Sequence, residues 1–157
     1  DACGRSASML RAIAEHAGER GVRLVLEALQ PVESMIVNSA ADTKRMIEAV
    51  DHPALKACLD LGAMAVAGDT IDDYFDLLGD DVAHVHFVDV AADGTTHLAW
   101  GDGERDMRAD LEALMRHGYT GYVSAETCDG RYYQDPSKAT TQVIEMYRRV
   151  TAEMEAE

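Results

Sequence analysis

The sequence predicts an α/β fold, a (β/α) barrel to which this chain contributes about four βα units, and three observations carry that reading. Strand-like and helix-like segments alternate along all 157 residues. No G-x-G-x-x-G follows the first strand. A carboxylate or a histidine stands near the C-terminal end of each strand, namely Glu27, Asp60, His86 and Glu126. Strands that alternate with helices imply a parallel sheet with right-handed crossovers.

Ser6 to Arg20 places Met9, Leu10, Ile13, Ala14 and Ala17 at helical spacing and stops near Gly18 and Gly21. Val22 to Leu29 (VRLVLEAL) is a β-rich run, and Thr43 to Val50 is an amphipathic helix with Asp42 as its cap. Leu55 to Leu61 reads as a strand and Thr70 to Leu78 as a helix. Val82 to Val90 (VAHVHFVDV) is the clearest strand. A polar loop with Gly94, Gly101 and Gly103 leads to helix Met107–His117 and strand Gly121–Thr127. After Asp135-Pro136-Ser137 a closing helix runs through Met146 toward Met154. A dinucleotide-binding sheet needs phosphate-cradling glycines after its first strand; Gln30-Pro31-Val32-Glu33 stand there instead. The barrel, of TIM type, therefore fits better. Eight units need about 250 residues, so residues 1–157 read as a single domain, the C-terminal half of a (β/α)8 barrel. A missing N-terminal half, or a second copy in a homo-oligomer, would complete it.

Composition narrows the partners. The net charge of −15 repels a phosphate backbone, which argues against nucleic acid. No apolar run approaches the roughly 20 residues of a membrane span. Cys3, Cys58 and Cys128 are odd in number and lack C-x-x-C spacing, which points to a reducing cytoplasm and away from a disulfide framework or a zinc ribbon.

In a barrel the C-terminal ends of the strands form the catalytic face, so Glu27, Asp60, His86 and Glu126 would surround one mouth. Alternation also turns Val25, Cys58, His84 and Ser124 inward, as a packed layer beneath. A single acid ending a strand is as readily a helix cap or a solvated loop group. Four such residues on consecutive strands argue for a shared divalent metal. Three carboxylates and one imidazole suit manganese or magnesium, with cobalt and zinc as competitors.

The segments LVLEALQPVES, KACLDLGAM, HVHFVDV with the later WGDG, and GYTGYVSAET resemble the ketose 3-epimerases of the xylose isomerase-like TIM-barrel superfamily, the tagatose and fructoselysine 3-epimerase group. The likeness covers about Gly21 to Arg148. It implies a small sugar substrate and one metal, usually manganese, held by Glu27, Asp60, His86 and Glu126, with His84 left as a supporting or core residue. It implies catalysis by Glu27 and Glu126, which remove a proton beside a carbonyl and return it to the other face through an enediolate. Glu33 matches a carboxylate that contacts substrate hydroxyls. Two departures alter the hydroxyl contacts: Ala63 stands where many of these enzymes have histidine, and Ala92 where they often have arginine. The WGDG and YYQDPS segments look more like the fructoselysine type.

His97 and Arg105 lie in the long loop after the third strand and are expected to contact substrate, while Trp100 packs the loop. Asp89 is expected either to orient a ligand or to cap the loop, the former preferred. An inosose- or dehydroshikimate-type dehydratase and a hydroxypyruvate-type isomerase share this barrel and stay open as alternatives. An endonuclease IV-like role would need more histidines and a basic face. A reading of another class is a catalytically incomplete half barrel that acts only as an assembly fragment.

Overall fold

The computed structural model describes residues 1–156. One sheet of four parallel strands, in the order β1-β2-β3-β4, is formed by β1 (Leu24–Glu27), β2 (Leu55–Asp60), β3 (Val82–His86) and β4 (Val123–Ser124). Among the described residues six α-helices accompany it: α1 (Ala2–Gly18), α2 (Ala40–Val50), α3 (Leu61–Ala67), α4 (Ile71–Leu78), α5 (Met107–Arg116) and α6 (Pro136–Glu155). Helices α1, α2, α4, α5 and α6 each pack on the next, as the outer layer of a barrel does. Among the described residues, β1 and β4 are the two edges of the sheet.

The helices begin where side chains satisfy their free N–H groups. Asp1 caps α1, and Asp106 caps α5. Thr70 and Asp73 form a reciprocal capping box on α4. Pro136 opens α6, where its missing N–H costs nothing. Ser39, rather than Asp42, caps α2, because the helix starts three residues earlier than its apolar periodicity suggests. Asp42 instead accepts a bond from Asn38 N at 3.0 Å. Helix α3 was not expected. It follows β2 without a gap, and Asp60 caps it.

Three strands are markedly shorter than their expected runs, and β1 keeps only Leu24–Glu27 of Val22–Leu29. β3 stops at His86, and Phe87 and Val88 turn into the core with Trp100. Asp89 then pairs with Leu98 in an isolated antiparallel bridge, which folds the long loop back on itself. β4 keeps only two ladder residues.

The ladder is staggered: Glu27 faces Cys58, Cys58 faces His84, Asp60 faces His86, and His86 faces Ser124. Such shear is what tilts strands round a barrel. It also decides which side chains can meet at the mouth.

The main core lies between β2–β3 and helices α4, α5 and α6, around Leu59, Tyr74, Val85, Phe87 and Trp100. A second cluster joins α1, β1 and α2 through Ala14, Ala28, Met46 and Val50. Trp100 is fully buried and donates from Nε1 to Phe87 O at 3.0 Å. Its loop is built against Gly103. A Cβ there would lie 2.6 Å from Val90 O and would also strike the Asp89 carboxylate. Gly103→Ala should therefore cost about 1–3 kcal/mol, as overpacking of a rigid site does, and the urea midpoint checks it. Among the described residues no helix is long and apolar enough to cross a membrane.

Candidate metal centre

Asp60 ends β2 with its side chain fully buried. Its two oxygens face different tasks. Oδ1 accepts from Ala63 N at 2.6 Å and so starts α3, while Oδ2 has no hydrogen-bond partner among the described residues. His86 ends β3 directly across the ladder. Its Nδ1 lies 3.1 Å from Glu27 Oε1, 3.6 Å from Asp60 Oδ2 and 2.9 Å from Glu126 Oε2. Glu126 stands just past β4, and its Oε2 is buried and also lacks a hydrogen-bond partner. The chain thus brings all four strand-end residues to one point.

The loop after β3 brings a fifth. His97 Nε2 lies 3.6 Å from Asp60 Oδ2 and 3.7 Å from Glu126 Oε2. Glu27, Asp60, His97 and Glu126 can each offer one donor atom, all within 4.8 Å of one another.

A buried carboxylate oxygen without a donor is costly unless a cation faces it. Two such oxygens here point to one place. The same field acts on His86, whose imidazole is pushed up to about 12, by Asp60 first and then by the Cys58 thiol and Glu27, against the opposing effect of burial. Donors held about 2.0–2.6 Å from one ion lie roughly 3–4 Å apart, which matches the spacing round His86 Nδ1. The residues present fit a divalent metal.

Beneath the mouth, Cys58 is buried, and burial pushes its thiol up. His84 Nε2 and Ser124 Oγ bond to each other at 2.8 Å, and the His84 ring meets His86 edge-on at 5.3 Å. Burial holds His84 below the usual imidazole range. Val25 departs from the expected packed layer. It pairs with Lys56 across the staggered ladder and is 41 % exposed.

The family model for the xylose isomerase-like TIM barrel matches residues 1–150. The chain belongs to this family. It is 33 % identical over 152 residues to fructoselysine 3-epimerase of Escherichia coli O157:H7, covering 97 % of this chain and 55 % of that protein. It is 30 % identical over 138 residues to 3-dehydroshikimate dehydratase of Pseudomonas putida, covering 82 % of this chain and 21 % of that protein. A crystal structure of the IolI protein with a bound zinc atom superposes with a TM-score of 0.76 at 22 % identity, over 94 % of this chain and 55 % of the other, and shows the shared fold. The chain spans about half the length of the epimerase it matches.

The remaining expected contacts of this xylose isomerase-like chain fall into different places. Glu33 is exposed on the loop after β1, where its carboxylate accepts from Gln30 N at 3.1 Å. Arg105 turns both arms of its guanidinium onto Asp110, at 2.8 and 2.7 Å. That pair is half-buried and braces the start of α5, so the fork is engaged away from the carboxylate cluster. Asp89 caps the loop and makes no bond to His86: its carboxylate accepts from the backbone N–H of Val90, Gly101, Gly103 and Arg105. Asp89 therefore caps the loop rather than orienting a ligand, contrary to the expectation from its spacing after His86.

Sequence reading missed Gln30 and Thr96. Gln30 Nε2 donates to Thr96 Oγ1 at 2.9 Å, and Thr96 Oγ1 bonds His97 Nδ1 at 2.8 Å. The hydroxyl adjacent to His97 was the available signal, because a ring nitrogen needs a second partner to fix its orientation.

Proposed function

We propose that this protein is a divalent-metal-dependent epimerase or isomerase of a ketose or ketose derivative. The observation that carries the reading is the pair of buried, unpartnered oxygens, Asp60 Oδ2 and Glu126 Oε2, facing one point beside Glu27 and His86. The likeness to fructoselysine 3-epimerase supplies the substrate class. Glu27, Asp60, His86 and Glu126 would hold the ion, and the oxygen-rich set favours manganese. When bound, the ion polarises a substrate carbonyl and acidifies the neighbouring C–H.

Glu27 and Glu126 reach the mouth from opposite edges of the sheet. One carboxylate takes the proton from the carbon beside the carbonyl, and the other returns a proton to the opposite face. Glu33 and His97 are the side chains we assign to substrate hydroxyls. Arg105 would join them only by releasing Asp110. The three unpaired cysteines favour a reducing cytoplasm.

The test is a ketose incubated with the Mn²⁺-loaded protein in D₂O. Deuterium should enter at the carbon beside the carbonyl, and the epimer should accumulate. Glu27→Gln and Glu126→Gln should each lower kcat by about 10²–10⁴, the usual worth of a general acid or base. Full turnover in both variants would overturn the assignment. The dehydratase relative favours a second reading, loss of water from a hydroxylated ring ketone; an unsaturated product in the same assay would select it. The two sheet edges favour a third, an assembly unit active only when further strands add to β1 and β4. Specific activity that rises with protein concentration would mark that case.

A further inference from the structure

We propose that His97 is a displaceable fifth donor of the metal centre: its Nε2 joins Asp60 and Glu126 in the resting protein and gives way to a substrate oxygen. This rests on the metal-centre reading above; once displaced, the His97 ring is free to meet the substrate hydroxyl assigned to it there.

The distances set His97 among donors. Its Nε2 stands 3.6 Å from Asp60 Oδ2 and 3.7 Å from Glu126 Oε2, the unpartnered oxygens. Those separations match the roughly 3–4 Å between donors that share one ion at about 2.0–2.6 Å. The other ring nitrogen is held independently. Thr96 Oγ1 bonds Nδ1 at 2.8 Å and is itself fixed by Gln30 Nε2 at 2.9 Å. A threonine hydroxyl both accepts and donates. Accepting from Nδ1–H leaves the Nε2 lone pair free for an ion; donating to Nδ1 places a proton on Nε2, toward the carboxylates. One side chain serves both tautomers.

The backbone shows that this placement is imposed. His97 has φ of +58°, the left-handed region. A non-glycine residue there is strained and persists where its surroundings enforce it. The Asp89–Leu98 bridge holds the loop from one side, through bonds of 3.0 and 3.1 Å. The β2–α3 turn packs from the other: a Cβ on Gly62 would lie 3.0 Å from Thr96 Cβ.

Displacement follows from counting positions. Glu27, Asp60, Glu126 and His97 lie within 4.8 Å of one another, and His86, 2.9–3.6 Å from the three carboxylates, would bring the donors to five. An octahedral ion would keep one position open, whereas a hydroxyketone that chelates through its carbonyl and neighbouring hydroxyl needs two. His86 sits in the β3 ladder and cannot withdraw without breaking it. His97 comes from a loop, so its ring can turn about its side-chain bonds while the backbone stays where the bridge holds it. It is the donor that can leave.

The test uses Co²⁺, whose visible absorption reports coordination number, with the whole chain and its His97→Gly variant. Glycine accepts the left-handed backbone without strain, so the fold is kept. We expect a changed cobalt spectrum, about tenfold weaker Co²⁺ binding, of the order seen on losing one outer contact of a site, and restoration of the spectrum by free imidazole. With saturating D-fructose, native protein and variant should give the same spectrum. Thr96→Val should shift affinity in the same direction by less. An unchanged spectrum and affinity in His97→Gly, alongside lost binding in Asp60→Ala, would overturn the fifth donor while leaving the metal centre standing. Spectra that still differ under D-fructose would overturn displacement. Persistent Co²⁺ binding in Asp60→Ala would remove the metal-centre reading, and this inference with it.

Discussion

Mn²⁺ titrated into this protein should give a saturable heat of binding, and the Asp60→Ala variant should give none. Asp60 is the most buried residue of the cluster, and among the described residues its Oδ2 has no hydrogen-bond partner. Its removal takes away a charge, not merely a support, so affinity should fall beyond the roughly 10–100-fold that follows loss of an outer hydrogen-bond partner. The alanine also leaves Ala63 N without its acceptor at 2.6 Å, which costs about 1 kcal/mol as a lost helix cap. Asp60→Asn separates the two effects. Its amide oxygen can still cap α3, so stability should return while the metal site stays lost. Native-like Mn²⁺ affinity in both variants would show that the cluster is only a solvated group of acids.

The strand-end residues were legible because each sits at a fixed place in a repeating unit. Glu27, Asp60 and His86 end runs of β-rich sequence, and a parallel sheet puts those ends on one side. Helix α3 was not legible. Its sequence, LGAMAVA, is apolar or small throughout, so it shows no polar face to set a period, and its first four residues are all buried. The overlong reading of β3 has a similar cause: Phe87 and Val88 extend the apolar run but enter the core beside Trp100. The approach of His97 to Asp60 depends on a left-handed residue and an antiparallel bridge. Neither leaves a mark in local periodicity. Arg105 shows the limit of reading a loop cation as a substrate contact, because Asp110, five residues on at the start of α5, was an equally available partner.

The largest effect on stability is expected at Asp89, which holds the loop that carries His97. Its carboxylate is 1 % exposed. Oδ1 accepts from Val90 N at 2.8 Å and Arg105 N at 3.0 Å, and Oδ2 from Gly101 N and Gly103 N, both at 2.9 Å. Asp89→Ala strands four backbone donors at once. An unsatisfied buried donor costs about 1–3 kcal/mol, more where the lost acceptor was charged, although water entering the gap recovers part of it. A loss of about 3–5 kcal/mol is the expected outcome, near that of breaking a buried ion pair, and a urea melt measures it. Asp89→Asn is the sharper probe. It has the same shape, but its NH₂ group must face two N–H donors in either orientation, so it can serve only one of the two pairs. It should lose about half as much. The loop should then loosen around Trp100, and Mn²⁺ affinity should fall, although Asp89 itself makes no contact with the carboxylate cluster. A fully stable Asp89→Asn protein with unchanged metal affinity would mean that Trp100, packed on Phe87 and bonded to its carbonyl, holds the loop without the carboxylate.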